Sequence, residues 1–530
     1  MRHQKASSRK SVMVHQFSQV PKAEIPRSSF DRSSGYKTTF NAGLLIPFFC
    51  DEALPGDTFT LKTTALARLA TPIFPAMDNM FIETQFFSVP NRLIWDNWAK
   101  FMGEQTNPGD STDFTIPTMT TAGGSGHSNE TIFDYMGIPT LVGNVEYSSM
   151  WMRAYNLIYN EWYRDQNLQD SVVENKGDSG DLNTHYSVLR RGKRHDYFTS
   201  SLPFPQKGES VLLPLGTSAP VTSDANNGAE LGVVSTAQGD VLANMSTSTP
   251  TLLMSNQVVE PEGALYADLT TATAATINEL RQSFQVQRLL ERDARGGTRL
   301  IEITKAHFGV SSPDLRATRP EYLGGGSSPI NIQPVAQTSE TDQSGPDASP
   351  QANLAGVGTG VVSNHGFTKS FTEHCTLIGI ISVRADLTYQ QGLNRMYSRK
   401  TRFDFYWPAL SHIGEQAVLN KEIFSQGENN PVEDEETFGF QERYAEYRYK
   451  PSQITGKFRS NDPQTLDAWH LSQNFLTLPT LSDQFIQDDP PIDRIIAVDT
   501  EPHFLLDVHF NLRCARPMPL YGVPGMIDHF

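Results

Sequence analysis

His503, Asp507 and His509 are residue types that bind divalent metal ions, and they share one face of an alternating segment. At about 3.3 Å of rise per residue they extend over roughly 20 Å, too long for one coordination sphere unless a bulge or another strand contributes. A polar sheet face or a subunit contact is the simpler reading. The cysteines Cys50, Cys375 and Cys514 are widely scattered, with no Cys-x-x-Cys pair. That fits a reducing compartment and argues against a disulfide framework or a zinc site. No cofactor and no metal are expected.

Gly177-Asp178-Ser179-Gly180 matches four residues of the Gly-Asp-Ser-Gly-Gly nucleophile loop of serine proteases, but Asp181 replaces the last Gly. No Ala-Ala-His-Cys stretch precedes it, so a solvent turn is the better reading. There is also no Gly-x4-Gly-Lys-[Ser/Thr] and no Gly-x-Ser-x-Gly. Nucleotide hydrolysis and α/β-hydrolase chemistry therefore lack their marks. The chain is expected to bind and assemble, not to catalyse.

Binding chemistry is better represented. Arg190-Arg191-Gly192-Lys193-Arg194-His195-Asp196-Tyr197-Phe198 is one dense basic cluster. Arg395, Arg399, Lys400 and Arg402, close to Tyr397, Phe403 and Trp407, are a second. Cations beside aromatics suit single-stranded nucleic acid, where phosphates are neutralised and bases stack. They suit subunit interfaces equally well.

Charge is distributed unevenly. The formal net charge is −16, yet the first forty residues carry eight basic residues against Glu24 and Asp31. This basic, Ser-rich arm, residues 1–40, is at +6, which leaves −22 for the rest. Such an arm suggests a segment that reaches for phosphate or for another subunit; a solvated tail is the plain alternative. From Gly208 to Leu280 there is no Lys or Arg, while Asp224, Glu230, Asp240, Glu260, Glu262 and Asp268 are acidic. That stretch is rich in Ser, Thr, Ala and Asn and holds no aromatic residue before Tyr266. It reads as an exposed insertion kept away from polyanions.

The elements that must position these residues alternate at period two. In Asp57–Leu69, Phe59, Leu61, Ala65, Ala67 and Leu69 share one face; His503–Cys514 alternates likewise. Gly43–Phe49, Met80–Val89, Thr298–Thr304, Cys375–Leu387 and Phe440–Tyr449 also read as strands. Their wide separation is a Greek-key or jelly-roll habit. Helices are expected after Asn91, after Ser149 (Trp151, Tyr155, Ile158, Trp162) and after the capping box Thr276-Ile277-Asn278-Glu279. Residues Asn331–His365, rich in Gln, Ser, Gly and Pro, read as a long loop.

With 530 residues, 38% hydrophobic and 19% charged, the chain can build a large core with polar loop to spare. Charge is below the usual level of about 25%, which excludes a coiled coil or a wholly disordered chain. No apolar run approaches the roughly 18 residues of a membrane span, and the first residues show no apolar signal core.

Several words in order along the chain carry a family resemblance: Phe40-Asn41-Ala42-Gly43-Leu44-Leu45-Ile46-Pro47, Thr71-Pro72-Ile73-Phe74-Pro75-Ala76-Met77-Asp78-Asn79 and Val89-Pro90-Asn91-Arg92-Leu93-Ile94-Trp95. Arg191-Gly192-Lys193-Arg194-His195-Asp196-Tyr197-Phe198-Thr199, Arg319-Pro320-Glu321-Tyr322-Leu323-Gly324-Gly325 and Ala385-Asp386-Leu387-Thr388-Tyr389-Gln390-Gln391-Gly392-Leu393 continue it. With these words the chain resembles the Microviridae major capsid proteins, and among them those of the gokushoviruses, small phages with circular single-stranded DNA.

The resemblance implies a mainly β fold, a single jelly roll (an eight-stranded antiparallel β-barrel) over residues 41–530 with large loop and helical insertions. It implies assembly as a homo-oligomer into a T=1 icosahedral shell in the bacterial cytoplasm, and residence in the virion. Expected partners are the single-stranded DNA genome, a small basic DNA-packaging protein, an internal scaffolding protein and a host cell-surface receptor. Arg2, Lys5, Arg9 and Lys10, with Arg190, Arg191, Lys193 and Arg194, are the candidate DNA-facing residues. The insertion at 216–272, from Gly216 through Asp224, Glu230, Asp240 and Glu260 to Ala272, is the candidate host-facing protrusion at a threefold axis. A β-sandwich carbohydrate-active enzyme or a lectin-like module is the competing class. The enzyme would place two carboxyls about 5–10 Å apart in a cleft and act as a monomer. The lectin-like module would require export, for which no signal peptide is visible.

Overall fold

The computed structural model describes residues 26–211, 277–311, 315–340 and 351–522, and within 212–276 only four short strands. Two compact units divide the chain, one from residues 1–203 and 309–530, the other from residues 204–308.

The first unit is built on one antiparallel sheet. Its strands are β1 (Ser28–Asp31), β2 (Ser34–Phe40), β3 (Ile46–Ala53), β4 (Thr58–Leu69), β5 (Met80–Pro90), β6 (Glu321–Ala336), β7 (Leu354–Ser370), β8 (Cys375–Ala385) and β9 (Phe504–Arg516). Their spatial order is β1, β9, β4, β7, β6, β5, β8, β3, with β2 continuing along the same edge of β9 as β1. Alternation decides the inner face. Phe59, Leu61, Ala65, Ala67 and Leu69 of β4 are buried, as are Phe504, Leu506, Val508, Phe510, Leu512 and Cys514 of β9. Each large side chain buried this way contributes about 1.5–3 kcal/mol.

The sheet curls until its ends meet. Phe510 of β9 lies 5.1 Å from Phe49 and 5.5 Å from Phe48 of β3, measured between ring centroids. Arg32, between β1 and β2, pairs with Asp51 of β3 at 2.7 Å, and Arg516 donates to the Glu52 carbonyl. Side chains rather than a hydrogen-bond ladder hold this seam. The result is the jelly-roll architecture expected from the sequence.

β5 and β8 are buried on both faces. Phe86, Leu377 and Ile381 point to the barrel core, while Phe87, Ile378 and Ile380 support a second core. The helix α1 (Met150–Ile158) covers that outer face with Met152, Tyr155 and Ile158, and the Tyr155 hydroxyl donates to the Leu45 carbonyl at 2.8 Å. Ser149 occupies the N-cap position, yet its hydroxyl donates to the Pro117 carbonyl. Asn91 opens a 3-10 turn, followed by one helical turn at Trp98–Phe101 that ends at Gly103, φ +100°.

Four segments differ from the sequence expectation. Residues 331–336 and 354–365, expected as loop, belong to β6 and β7, which pair from Ile330–Gly360 to Ala336–Leu354. Their small residues are a packing requirement: a Cβ on Gly358 would lie 2.7 Å from the Leu69 side chain, and one on Gly360 2.5 Å from Ile82. The end of the basic arm, Ser28–Phe40, forms β1 and β2 against β9. The expected strand Phe440–Tyr449 ends at Glu442, because Tyr444 takes a left-handed conformation.

The fourth difference falls in the second unit, where α2 (Ile277–Gly296) and α3 (Leu300–Phe308) form a helical hairpin. Residues 298–304, expected as a strand, start α3: Gly297 turns at φ +99°, and the Glu302 carboxylate accepts the Arg299 amide at 3.3 Å. A short apolar run does not by itself distinguish the two periods. His307 pairs with Asp293 at 2.7 Å across the hairpin. The short strands pair as Val221–Thr222 with Tyr266–Ala267 and Val233–Ser235 with Val241–Ala243. Thr276 lies outside the described residues.

Candidate nucleic-acid interface

Two of the three candidate metal ligands, His503 and Asp507, are engaged elsewhere. His503 Nε2 lies 2.7 Å from the Asp493 carboxylate, its Nδ1 accepts the Ala42 amide, and Asp507 pairs with Lys37 at 3.0 Å. Among the described residues no group of three His, Cys, Asp or Glu is placed to hold a metal ion. The Gly177–Gly180 turn is a latch. Asp178 accepts from Trp95 Nε1 at 2.6 Å and from Asn97, while buried Arg153 donates to Asp181 at 2.6 Å and to the Gly177 and Ser179 carbonyls.

The first basic cluster runs as an extended segment between Gly43–Leu45 and Ile486–Asp488. The Arg191 amide donates to the Gly43 carbonyl, the Lys193 amide to Ile486 and the Asp488 amide to Arg191. This path alternates the side chains: Arg191 and Lys193 are buried, Arg190 and Arg194 half-buried. Glu83 of β5 gathers three guanidiniums, from Arg191 at 2.6 Å, Arg384 of β8 at 2.8 Å and Arg194 at 2.9 Å. Burial alone would push the Glu83 carboxyl up, but Arg191 and Arg384 outweigh it and hold it below its usual range. Arg194 also pairs with Asp386 at 2.9 Å, and Arg190 with Asp489 at 2.8 Å.

Lys193 donates to Gln473 at 3.0 Å and lies 4.4 Å from the Phe485 ring centroid. Burial pulls its pKa down to about 8, and burial pushes the neighbouring Asp488 up to about 7. The cluster thus meets its own carboxylates inside the fold, and Arg190 and Arg194 retain part of their surface. Glu83 is the partner that sequence reading missed, since nothing local ties it to Arg191. Arg2, Lys5, Arg9 and Lys10, and Gly216, Asp224, Glu230, Asp240, Glu260 and Ala272, lie outside the described residues.

The second cluster turns Lys400, Arg402 and its rings outward, while Arg395 and Arg399 are largely buried and pair with Glu422 and Glu446. Its 3-10 turns are Arg395–Tyr397, Arg402–Asp404 and Pro408–Leu410. The Asp404 carboxylate accepts the Lys400 and Thr401 amides, which lowers its pKa and fixes the second turn. Trp407 Nε1 donates to the Arg402 carbonyl at 2.8 Å. The Arg399 guanidinium lies 4.2 Å from the Tyr447 ring centroid and 5.4 Å from that of Phe405. Phe403, Phe405, Tyr406, Trp407 and Tyr447 are each about half exposed, and Tyr397 is 70% exposed. Phe405, Tyr406 and Tyr447 were missed by the sequence reading, although the run Phe403-Asp404-Phe405-Tyr406-Trp407 was a signal for the first two.

Beside these rings is a cavity of about 280 Å³ with Tyr397 and Tyr449 among its walls. Deeper in it, the Arg395 guanidinium and the Tyr197 hydroxyl each donate to Glu422 at 2.9 Å. Burial pushes the Glu422 carboxyl up despite Arg395. Exposed cations, exposed ring faces and a small cavity amount to binding chemistry.

A family model described as "Capsid protein (F protein)" matches residues 18–526. The chain is 47% identical over 532 residues to capsid protein VP1 of Bdellovibrio phage phiMH2K, covering 97% of this chain and 98% of that protein. It is 44% identical over 592 residues to capsid protein VP1 of Chlamydia phage 1, with 97% and 98% covered. Capsid protein VP1 of Spiroplasma virus 4 is 36% identical over 554 residues, with 98% and 99% covered.

Proposed function

Because this chain belongs to the capsid protein (F protein) family, we propose that it forms a T=1 icosahedral shell around circular single-stranded DNA and meets the host through residues 216–272. As a capsid protein of the Microviridae type it is a structural subunit of the virion, a homo-oligomer by nature, and not an enzyme. The observation that carries the proposal is likeness to phage capsid proteins along nearly the whole chain. A closed icosahedral shell needs heterologous contacts around its fivefold and threefold axes and isologous ones across its twofold axes, so much of a subunit's surface becomes interface. The curled sheet supports this reading, since a core closed by side chains at its seam leaves loops and edges available for contact.

Assembly in the host cytoplasm, with an internal scaffolding protein and a small basic packaging protein, belongs to the same reading. The basic arm, with Arg190 and Arg194, would approach the packaged strand. Each phosphate neutralised releases counterion, at a log–log salt slope of roughly 0.7 per contact for single strands. Arg191 and Lys193 are buried against Glu83 and Gln473, so in this reading they hold the segment in place rather than meet the strand. Electron microscopy of particles assembled from the full chain tests the proposal. Icosahedral shells with T=1 geometry are expected; a stable monomer under assembly conditions would overturn it.

A further inference from the structure

We propose that the turns at 395–410 and the facing residues 443–450 form a stacking platform for single-stranded DNA, an assignment that rests on the shell-around-DNA reading. Bases would lie on the exposed faces of Phe403, Tyr406, Trp407 and Tyr447, and phosphates on Lys400, Arg402 and Lys450. The decisive observation is the balance of charge. Arg191, Arg194 and Arg384 are all satisfied by Glu83 and Asp386. In the second patch Arg395, Arg399 and Arg448 pair with Glu422, Glu446 and Glu442, but among the described residues Lys400, Arg402, Arg443 and Lys450 form no ion pair.

Two occupants could cover half-exposed aromatics, a second copy of the chain or a nucleic acid strand. Burying unpaired cations against another protein surface costs free energy unless anions come with it. A like patch on a second copy would bring more cations, and a different patch of a second copy would have to bring carboxylates matched to all of them. A phosphodiester backbone brings one negative charge per nucleotide together with a flat ring that any of these side chains can stack against. The rings are also held in place before anything binds. Arg399 sits between Phe405 and Tyr447, Trp407 is tied to the Arg402 carbonyl, and Tyr406 packs edge-on to Tyr444 at 5.2 Å. The cavity walled in part by Tyr397 and Tyr449 gives one unstacked base a place to enter.

The test uses full-length subunits and a fluorescein-labelled oligo-dT, with anisotropy read over a salt series and melting measured for every variant. Trp407→Ala with Tyr447→Ala should weaken binding by roughly 30-fold or more and leave the salt slope unchanged. Lys400→Ala with Arg402→Ala should lower the slope by about 1.4, two phosphate contacts. Trp407→Phe keeps a stacking face but loses the bond to the Arg402 carbonyl. It should restore most of the affinity if stacking matters, and should resemble Trp407→Ala if that bond is what matters, which would overturn the proposal. Shell assembly of the same variants is followed by electron microscopy. Normal DNA affinity with lost assembly makes the patch a contact between copies and overturns the proposal. Assembled shells with unchanged affinity for oligo-dT overturn it as well, while leaving the shell reading intact.

Discussion

Phe49 and Phe510 meet with ring centroids 5.1 Å apart, although β3 and β9 lie at opposite ends of the strand order. No strand pairing joins those ends, so this contact, with Phe48 and the Arg32–Asp51 pair, is what closes the curl. Replacing Phe510 by Ala should destabilise the subunit by about 3–5 kcal/mol, the range for a large aromatic removed from a core. Denaturant unfolding of the free subunit measures it. A loss under about 1 kcal/mol would show that the polar contacts close the seam instead.

Arg190 and Arg191 are adjacent in sequence and should respond oppositely to charge reversal. Arg191→Glu places a second buried carboxylate against Glu83 and strips that group of a partner 2.6 Å away. Breaking a buried pair costs about 3–5 kcal/mol, and reversal adds repulsion. Arg190 pairs with Asp489, whose side chain is mostly exposed, so Arg190→Glu should cost no more than about 1 kcal/mol. Thermal unfolding of both variants separates them. Equal midpoints would mean that Glu83 is held by Arg194 and Arg384 alone. Only Arg190→Glu is then clean enough to probe DNA retention in particles.

Much of the fold was legible because β4 and β9 alternate, with mostly apolar side chains on the buried face and, apart from Leu66 and Leu505, polar ones on the other. β6 and β7 were not legible, because their inner positions are partly Gly and the apolar volume there is supplied by Leu69 and Ile82 of other strands. Composition alone reads such a segment as loop. At the basic cluster the residue types were visible, but their state was not: Glu83 and Asp488 lie far from Arg191 in sequence. The aromatic cluster was legible in kind, since its rings are local, whereas their exposure depends on turns fixed by Asp404.

Asp488 gives the unfolding free energy a pH dependence. Its carboxyl is pushed up to about 7 by burial, which outweighs Arg384, Lys193 and Arg191, and its Oδ2 has no hydrogen-bond partner. A carboxyl whose native pKa exceeds its unfolded value near 4 binds more protons in the native state between those limits. Its contribution is therefore fully present below about pH 4 and is lost as pH rises to about 7. Asp488→Asn should remove that component. The wild type should lose about 2–4 kcal/mol relative to the variant between pH 4 and 7, with no further relative change from this group above pH 8. Parallel stability curves for the two proteins would show that Asp488 is ionised throughout.

The insertion supplies the last prediction, which concerns attachment. The stretch from 216 to 272 has no Lys or Arg and few aromatics, so it is poorly suited either to the DNA side of a shell or to a barrel core. Residues 204–308 form a compact unit separate from the one that holds the nine-stranded sheet. Replacing 216–272 by a short Gly/Ser linker leaves the large sheet and its seam untouched. Shell assembly should therefore survive largely intact, while adsorption of particles to host cells should fall. The short apolar groups Leu231-Gly232-Val233-Val234 and Thr251-Leu252-Leu253-Met254 are too small to form a core alone, so copies grouped around a threefold axis would bury them against one another. Electron microscopy and an adsorption assay on the same preparation decide the matter. Lost assembly, with normal adsorption by whatever particles form, would place the segment within the shell instead of on its outer surface.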